Sequence, residues 1–426
     1  MPSDLPVWGA RQAPAGGSAK LSSSRVCNRG SLRTVAVLDF LEAQIEALRA
    51  SGSYRNPDDG NDRLRVMENA RALGAEFIDA SSNNYLNRSD YFPDVSRETQ
   101  LSVPPGQLAR LGAGASRLIH GTRPEHSELE AALSKWVGLE RALLFSSGYA
   151  ANVGVISALV RPDDLIISDE LNHASIIDGC RLARAQIHIT AHCDSSAIEA
   201  ALLANAATHR CWVVTESYFS MDGDSPDLHA IRHLCNNYGA VMIVDEAHAL
   251  GVFGPQGSGL CSASHVNADV LIGTFGKALG AQGAFVASSR VATNWLWNRA
   301  RSFVYSTAMS PLLATSIEAN VRAIRADDEA RTRLGRMAFW FRSKLDANQI
   351  PVTAHSHGPI IPILYPNPTR AIKAAASLGQ LGILTQAIRP PTVPESSSRI
   401  RLTLHAGLNQ SQLERLVDSV IQTCTQ

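Results

Sequence analysis

VMIVDEAHALGVFGPQGSGLCSASHVNADVLIGTFGKALG, residues 241–280, is the stretch whose reading decides the fold. The apolar run 241–244 delivers Asp245, and His248 follows three residues later. A second run, 270–272, delivers Thr274 and then Lys277. The two runs predict neighbouring strands of an α/β sheet, so a carboxylate and a lysine emerge at strand ends, where such folds place their ligands. One cofactor needs this pair. Pyridoxal phosphate (PLP) requires a lysine for a Schiff base and an acid that keeps its pyridine nitrogen protonated.

Outward from this stretch, strand candidates recur at 142–145, 165–168, 187–190, 212–215, 241–245, 270–274, 284–287 and 303–306. Helical patterns at 127–137, 150–159 and 227–238 separate several of them. Strands alternating with helices predict a mostly parallel sheet with helices on both faces. Beyond Ala314 a long helical stretch runs to about Leu345. A strand–helix–strand pattern follows at 360–364, 369–378 and 399–404, then a final helix from Gln410, which reads as a smaller α+β domain. Residues 1–30, rich in Ser, Gly, Ala, Pro and Arg, read as a disordered extension. Apolar positions Val35, Leu38, Leu41, Ile45 and Leu48 predict an amphipathic helix. The expected organisation is an extension over 1–30, an N-terminal helical segment over 31–95, a large domain over 96–315 and a small domain over 316–426.

Composition excludes several classes of function. Of 426 residues, 39 are basic and 39 acidic, which leaves no basic footprint for nucleic acid or an anionic membrane surface. No apolar run reaches about 18 residues, so no transmembrane helix is expected. No h-region follows Arg11, so a secretory signal is not expected, and an organelle transit peptide is the weaker reading. The seven cysteines form no CxxC pair and are odd in number, which predicts reduced thiols in the cytoplasm, with neither a disulfide framework nor a metal site. His229 and His233, four apart on a predicted helix, lack the glutamate of a zinc-protease motif and read as a solvated face.

The chemistry-bearing residues each have a plainer reading. Lys277 follows a strand in GTFGKALG, where a lone lysine is commonly structural. A P-loop is excluded, because the glycines stand too close together and Ala278 occupies the place of the magnesium-binding hydroxyl. The glycines let a ring approach the backbone, and Thr274 offers a hydroxyl to a phosphate. A lysine held near other cations has a lowered pKa, which suits Schiff-base formation. Asp245 could cap the turn that follows it, but a buried carboxylate calls for a cation, and a protonated pyridine supplies one. His248 is a core histidine or a donor to the cofactor's phenolic oxygen. Ser146–Asn152 leaves a strand and opens a helix, whose free N–H groups suit a phosphate, with Gly148 permitting close approach. His173 could stack on a pyridine ring or cap a helix.

Taken in order, these pieces resemble the α-oxoamine synthase family of PLP-dependent fold-type I enzymes, over roughly residues 80–405. The motifs that carry the resemblance are SNNYL (82–86), GASR (114–117), HSELE (126–130), SGYAAN (147–152), NHAS (172–175), Thr215-Glu216 followed by FSMDGD (219–224), DEAH (245–248) and TFGK (274–277). The resemblance implies an α/β fold with a large domain built on a mostly parallel seven-stranded sheet and a smaller C-terminal α+β domain. It implies that Lys277 holds PLP and then removes the substrate Cα proton, that Asp245 pairs with the ring nitrogen, and that His173 stacks on the ring beside the substrate. Ser220 and His248 would contact the pyridine side, and Gly148, Tyr149 and Thr274 would bind mainly the phosphate. Thr307, in YSTAMS, would reach the phosphate of a partner subunit, which implies a homodimer with shared sites.

Within the family, TQAIRPPTVP (385–394) followed by RIRLT (399–403) resembles the branch that condenses alanine with a pimeloyl thioester, carried on CoA or on an acyl-carrier protein. By that match Arg401 would bind the amino-acid carboxylate, while Thr392, Asn83 and an N-terminal arginine, Arg55, would contact substrate. Related condensations, on glycine or serine with other acyl groups, are the alternatives. A catalytically silent subunit would lack the lysine, and a dinucleotide-binding fold would need a GxGxxG after its first strand. Asn87-Arg88 stand where the family has Gly-Leu, Leu408 stands where many members carry histidine, and the N-terminal extension has no counterpart.

Overall fold

A computed structural model describes residues 41–50, 54, 62–89, 111–205, 210–390 and 392–425. The chain divides into two units, 1–55 and 56–426. In the first, residues 41–50 form a helix, while the earlier part of the predicted 35–49 helix and the extension lie outside the described residues.

The second unit is organised by a seven-stranded sheet of β2 (Arg141–Phe145), β3 (Leu165–Asp169), β4 (Gln186–Thr190), β5 (Cys211–Glu216), β6 (Val241–Asp245), β7 (Val270–Thr274) and β8 (Ala284–Ser288). The order is β2-β8-β7-β6-β5-β3-β4, with β8 antiparallel to both neighbours and every other pairing along β7-β6-β5-β3-β4 parallel. The central strands are apolar throughout because helices cover both faces. Alternation sorts their side chains. Trp212, Val214, Ile243, Val270 and Ile272 join the cluster formed with the helix Gly148–Leu159, whereas Val213, Met242 and Val244 join the one formed with Leu228–Tyr238. Continuing that parity to the strand ends sends Glu216, Asp245 and Thr274 to the face of the helix Gly148–Leu159.

One strand expectation is corrected. The run 303–306 is not a strand: Arg301–Val304 is a single helical turn, with Phe303 buried against Phe145 at 5.5 Å between ring centroids. Two adjacent apolar residues fit a short strand and a docked turn equally well, and packing on the neighbouring helix decides. The long helical stretch after Ala314 is two helices, Pro311–Ala326 and Asp328–Ala347. Asp327 breaks it, accepting from the Ala330 N–H to cap the second helix and pairing with Arg88 at 2.6 Å.

A smaller antiparallel sheet runs β11 (Gln386–Ile388), β12 (Arg399–Thr403), β9 (Ile360–Leu364). Ile400 and Leu402 of β12 point into the main core, so Arg399, Arg401 and Thr403 share the opposite face. A two-residue strand β1 (Ile78–Asp79) pairs in parallel with β10 (Ile383–Leu384), and Asn69 of the helix Asp62–Ala72 donates to the Gly379 carbonyl at 3.0 Å. Residues 62–79 thus pack with the C-terminal region, a long-range pairing too short to leave a sequence pattern. Asn87, where the family has glycine, sits at φ 55, a left-handed conformation that asparagine tolerates better than most residues. Leu408 is a core residue, 5% exposed.

The loop carrying Ser220 is fastened by His192. Its Nδ1 lies 2.9 Å from Asp169 at the end of β3, and its Nε2 lies 3.1 Å from Asp224. Burial alone would lower its pKa, but hydrogen bonds to Asp169 and Asp224 outweigh that and raise it to about 12. The ring is therefore an imidazolium bridging two carboxylates. Both nitrogens are engaged, so the nearby Cys193 thiol does not complete a metal site with a free imidazole. Because the folded-state pKa lies above the unfolded one, this contribution to stability is full below the ordinary histidine pKa and is lost as pH rises toward the folded value. Urea unfolding of wild type and His192→Asn should show a stability gap that narrows between about pH 6 and about pH 9. A gap that widens over that range would contradict the imidazolium assignment.

Candidate active site

The carboxyl ends of β5, β6 and β7 bring the sequence-predicted residues together. Glu216 and Asp245 are register partners on adjacent strands, and both are buried. Asp245 Oδ2 accepts from Asn152 Nδ2 at 2.7 Å, and Oδ1 accepts from the Ala247 N–H at 2.8 Å. Among the described residues, no cationic side chain closes an ion pair with Asp245. A buried anion held only by neutral donors fits a protonated ring nitrogen.

Lys277 is half-buried just past β7. Burial lowers its pKa to about 8, Arg401 adds to the fall, and Asp245 and Glu216 oppose it. A lysine poised there is available as a neutral amine near neutral pH. Glu216 moves the other way. Burial and then Asp245 raise it to about 8, against Lys277 and the His173 N–H, which Glu216 Oε1 accepts at 2.8 Å. The set holds one lysine and two carboxylates, and one of the carboxylates is readily protonated.

His173 caps the helix Ala174–Ala183 and remains exposed over the site. Its Nδ1 lies 2.7 Å from Ser175 Oγ, which also accepts from Asn152 at 2.9 Å. Burial, then Lys277, hold His173 below the ordinary histidine pKa, against Asp245. An uncharged ring with an open face suits stacking.

The helix start for which sequence predicts a phosphate lies beside the end of β7. Ser147 caps the helix Gly148–Leu159: its Oγ takes the Ala150 N–H and its carbonyl the Ala151 N–H. That leaves the Gly148 and Tyr149 N–H groups for a ligand. A Cβ on Gly148 would lie 3.7 Å from Thr274, so helix start and strand end face one another. Thr274 Oγ1 donates to the Gly283 carbonyl at 3.0 Å and must turn from it to donate to a phosphate. The Tyr149 side chain points elsewhere, to Asp178.

Arg401 is 6% exposed. It donates to the Ser220 carbonyl, to Thr403 Oγ1 at 3.0 Å and to Tyr85 Oη at 3.2 Å. Among the described residues no carboxylate pairs with it, whereas its strand neighbour Arg399 pairs with Asp222 at 2.5 Å. Of two arginines on one face, one is neutralised and one is left for an anion. Asn83 lies near the clamp, 3.4 Å from Tyr85 Oη.

Three predicted residues are not gathered here. Thr307 is exposed, in an isolated bridge with Ser116. Thr392 is exposed in a turn whose N–H donates to the Arg389 carbonyl at 3.1 Å. Arg55 lies outside the described residues. Conversely, Asn152, Glu216 and Tyr85 stand in the family motifs but received no role from sequence. The signal for Asn152 is its position one helical turn after Gly148, on the face that meets β6.

The family model for class I and II aminotransferases matches residues 75–420. An 8-amino-7-oxononanoate synthase from Anaeromyxobacter sp. (strain K) is 41% identical over 384 residues, covering 88% of this chain and 93% of that protein. Among solved structures, serine palmitoyltransferase from Sphingomonas wittichii has a TM-score of 0.79 at 27% identity, covering 91% of this chain and 97% of that one. Another serine palmitoyltransferase structure, holding PLP, has a TM-score of 0.78 at 26% identity, covering 91% and 98%. The chain belongs to the α-oxoamine synthases, PLP-dependent enzymes of fold type I within the aminotransferase class I and II family. It is an acyltransferase, and the curated relative just described takes its name from the product 8-amino-7-oxononanoate.

If Asn152 sets the carboxylate of Asp245, Asn152→Ala should release PLP more readily. Losing a hydrogen bond to a buried charge costs about 1.5–3 kcal/mol, or roughly ten- to a hundredfold in Kd. Fluorescence titration of apo-protein with PLP measures it, and a wild-type Kd would contradict the role.

Proposed function

We propose that the protein condenses L-alanine with a pimeloyl thioester, on CoA or an acyl-carrier protein, to give 8-amino-7-oxononanoate, carbon dioxide and free thiol, in biotin biosynthesis. Arg401 carries this reading. A buried guanidinium near Lys277, with no carboxylate partner among the described residues, fits the carboxylate of an amino-acid substrate. The AIRPPTVP segment and the 41% identical relative support alanine and the pimeloyl thioester as the pair.

When bound, PLP supplies an electrophilic carbon for the amino group and an electron sink for the carbanion left at Cα. Lys277, once exchanged for the substrate amine, takes the Cα proton. Its lowered pKa lets it accept that proton near neutrality and give it back to the product carbon after carbon dioxide leaves. Asp245 keeps the ring nitrogen protonated, which sustains the sink. His173 covers one face of the ring and limits solvent on the substrate side. Arg401 grips the carboxylate until it departs and so fixes the direction of the Cα–H bond. The Gly148 and Tyr149 N–H groups and Thr274 hold the phosphate, and the Ser220 loop and His248 border the ring. Asn83 and Thr392 belong to the substrate side, and Arg55, outside the described residues, is assigned to substrate by the sequence resemblance alone. Thr307 serves the phosphate of a second subunit, so the active form is a homodimer. Residues 96–315 form the cofactor-binding part and 316–426 the small domain. No helix among the described residues is long and apolar enough to cross a membrane, and we place the enzyme in the cytoplasm.

Purified enzyme given alanine, glycine or serine with a panel of acyl thioesters should yield its main product, by mass, from alanine and pimeloyl thioester. A main product from serine and a long-chain thioester would overturn the assignment. With PLP in excess, Asp245→Asn should still load the cofactor yet lose at least about a hundredfold in turnover, because its charge acts on the reacting state. Near-normal turnover in that variant would mean that the ring nitrogen is held elsewhere.

A further inference from the structure

Tyr85 has no solvent exposure, and its hydroxyl stands between two groups of the site. Arg401 donates to it at 3.2 Å, and His248 Nδ1 lies 2.6 Å away. Hydrogen placement follows from chemistry. Guanidinium is only a donor, so the phenol oxygen accepts from Arg401 and its one hydrogen is free to be donated. The competing acceptor, Asn83 Oδ1, is farther at 3.4 Å. Burial raises the Tyr85 pKa against the pull of Arg401, so the phenol keeps its hydrogen. Burial, then Lys277, Arg401 and His173, hold His248 well below the ordinary histidine pKa, so the ring is neutral. A neutral imidazole accepting at Nδ1 carries its hydrogen on Nε2.

We propose that Tyr85 is a positioning residue whose single hydroxyl both holds Arg401 toward the amino-acid carboxylate and fixes His248 as an Nε2–H donor toward the ring oxygen of PLP. The substrate clamp and the tuning of the cofactor then share one hydrogen-bond chain, Arg401–Tyr85–His248. The first half rests on the reading of Arg401 above, and the second is independent of it. A hydrogen bond given to the phenolic oxygen of PLP stabilises that oxygen as an anion. It therefore competes with the proton the oxygen shares with the adjacent nitrogen, and lowers the pH midpoint of the cofactor's visible band. Lys277, Asp245, Glu216, His173 and Arg401 are the charged and titratable groups around this chain, and all of them are kept in Tyr85→Phe.

The test uses PLP-loaded Tyr85→Phe, which keeps the ring and loses only the hydroxyl. The visible band should persist, its pH midpoint should rise by about half to one unit, and alanine, titrated against the absorbance, should bind roughly five- to thirtyfold more weakly. A midpoint and an alanine affinity both equal to wild type would overturn the proposal. A fluorotyrosine placed at position 85 alone keeps the size and donates more strongly, so the midpoint should fall. It covers the case in which Tyr85→Phe fails to fold, and a midpoint unmoved by it would overturn the proposal equally. Failure of the carboxylate reading would show separately, as unchanged alanine affinity in Arg401→Lys with the Tyr85→Phe midpoint still displaced.

Discussion

The active site depends on one electrostatic arrangement: two buried carboxylates and a half-buried lysine gathered at the ends of three adjacent strands. Burial, and then the neighbouring Asp245 charge, raise the pKa of Glu216, so the two carboxylates do not both stay ionised there without cost. Lys277 relieves part of it, and the carboxylates in turn oppose the fall in its pKa that burial and Arg401 cause. The arrangement persists because neutral donors hold the carboxylates in place: Asn152 and the Ala247 N–H on Asp245, the His173 N–H on Glu216. A pyridine ring arriving with a proton on its nitrogen would supply Asp245 with the cation that no described side chain provides.

Strand parity brings this about. Glu216, Asp245 and Thr274 extend the rows of side chains that pack beneath the helix Gly148–Leu159, so the helix that closes the core also presents its N-terminus and Asn152 to the site. The small sheet contributes by the same rule. Because Ile400 and Leu402 are committed to the core, Arg399 and Arg401 must share the other face, over the loop 219–224. Asp222 neutralises the first and the Ser220 carbonyl orients the second, while His192 fastens the loop from beneath.

Much of this was legible in the sequence. The apolar runs before Asp245 and before Thr274 are true strands, and seven of the eight strand candidates in the large region are found. The eighth, at 303–306, failed because a docked helical turn and a short strand present the same two apolar residues. The strands at 78–79, 383–384 and 386–388 were invisible for a different reason: they are held by long-range pairing and carry no periodicity of their own. At the site, Lys277, Asp245, His173, His248 and Arg401 could be named from motifs. What motifs could not show is that Arg399 is spent on Asp222 while Arg401 is not, or that Tyr85 joins Arg401 to His248. Those facts arise only when β12 and the segment 81–86 meet over the sheet.

The central claim is that Lys277 is the lysine that binds PLP. The most direct measurement is to treat the PLP-loaded protein with borohydride, digest it and locate the pyridoxyl group by peptide mass spectrometry. The account predicts stoichiometric modification of Lys277 and of no other lysine. Modification at Lys135, Lys344 or Lys373 with Lys277 untouched, or no modification at all, would contradict it.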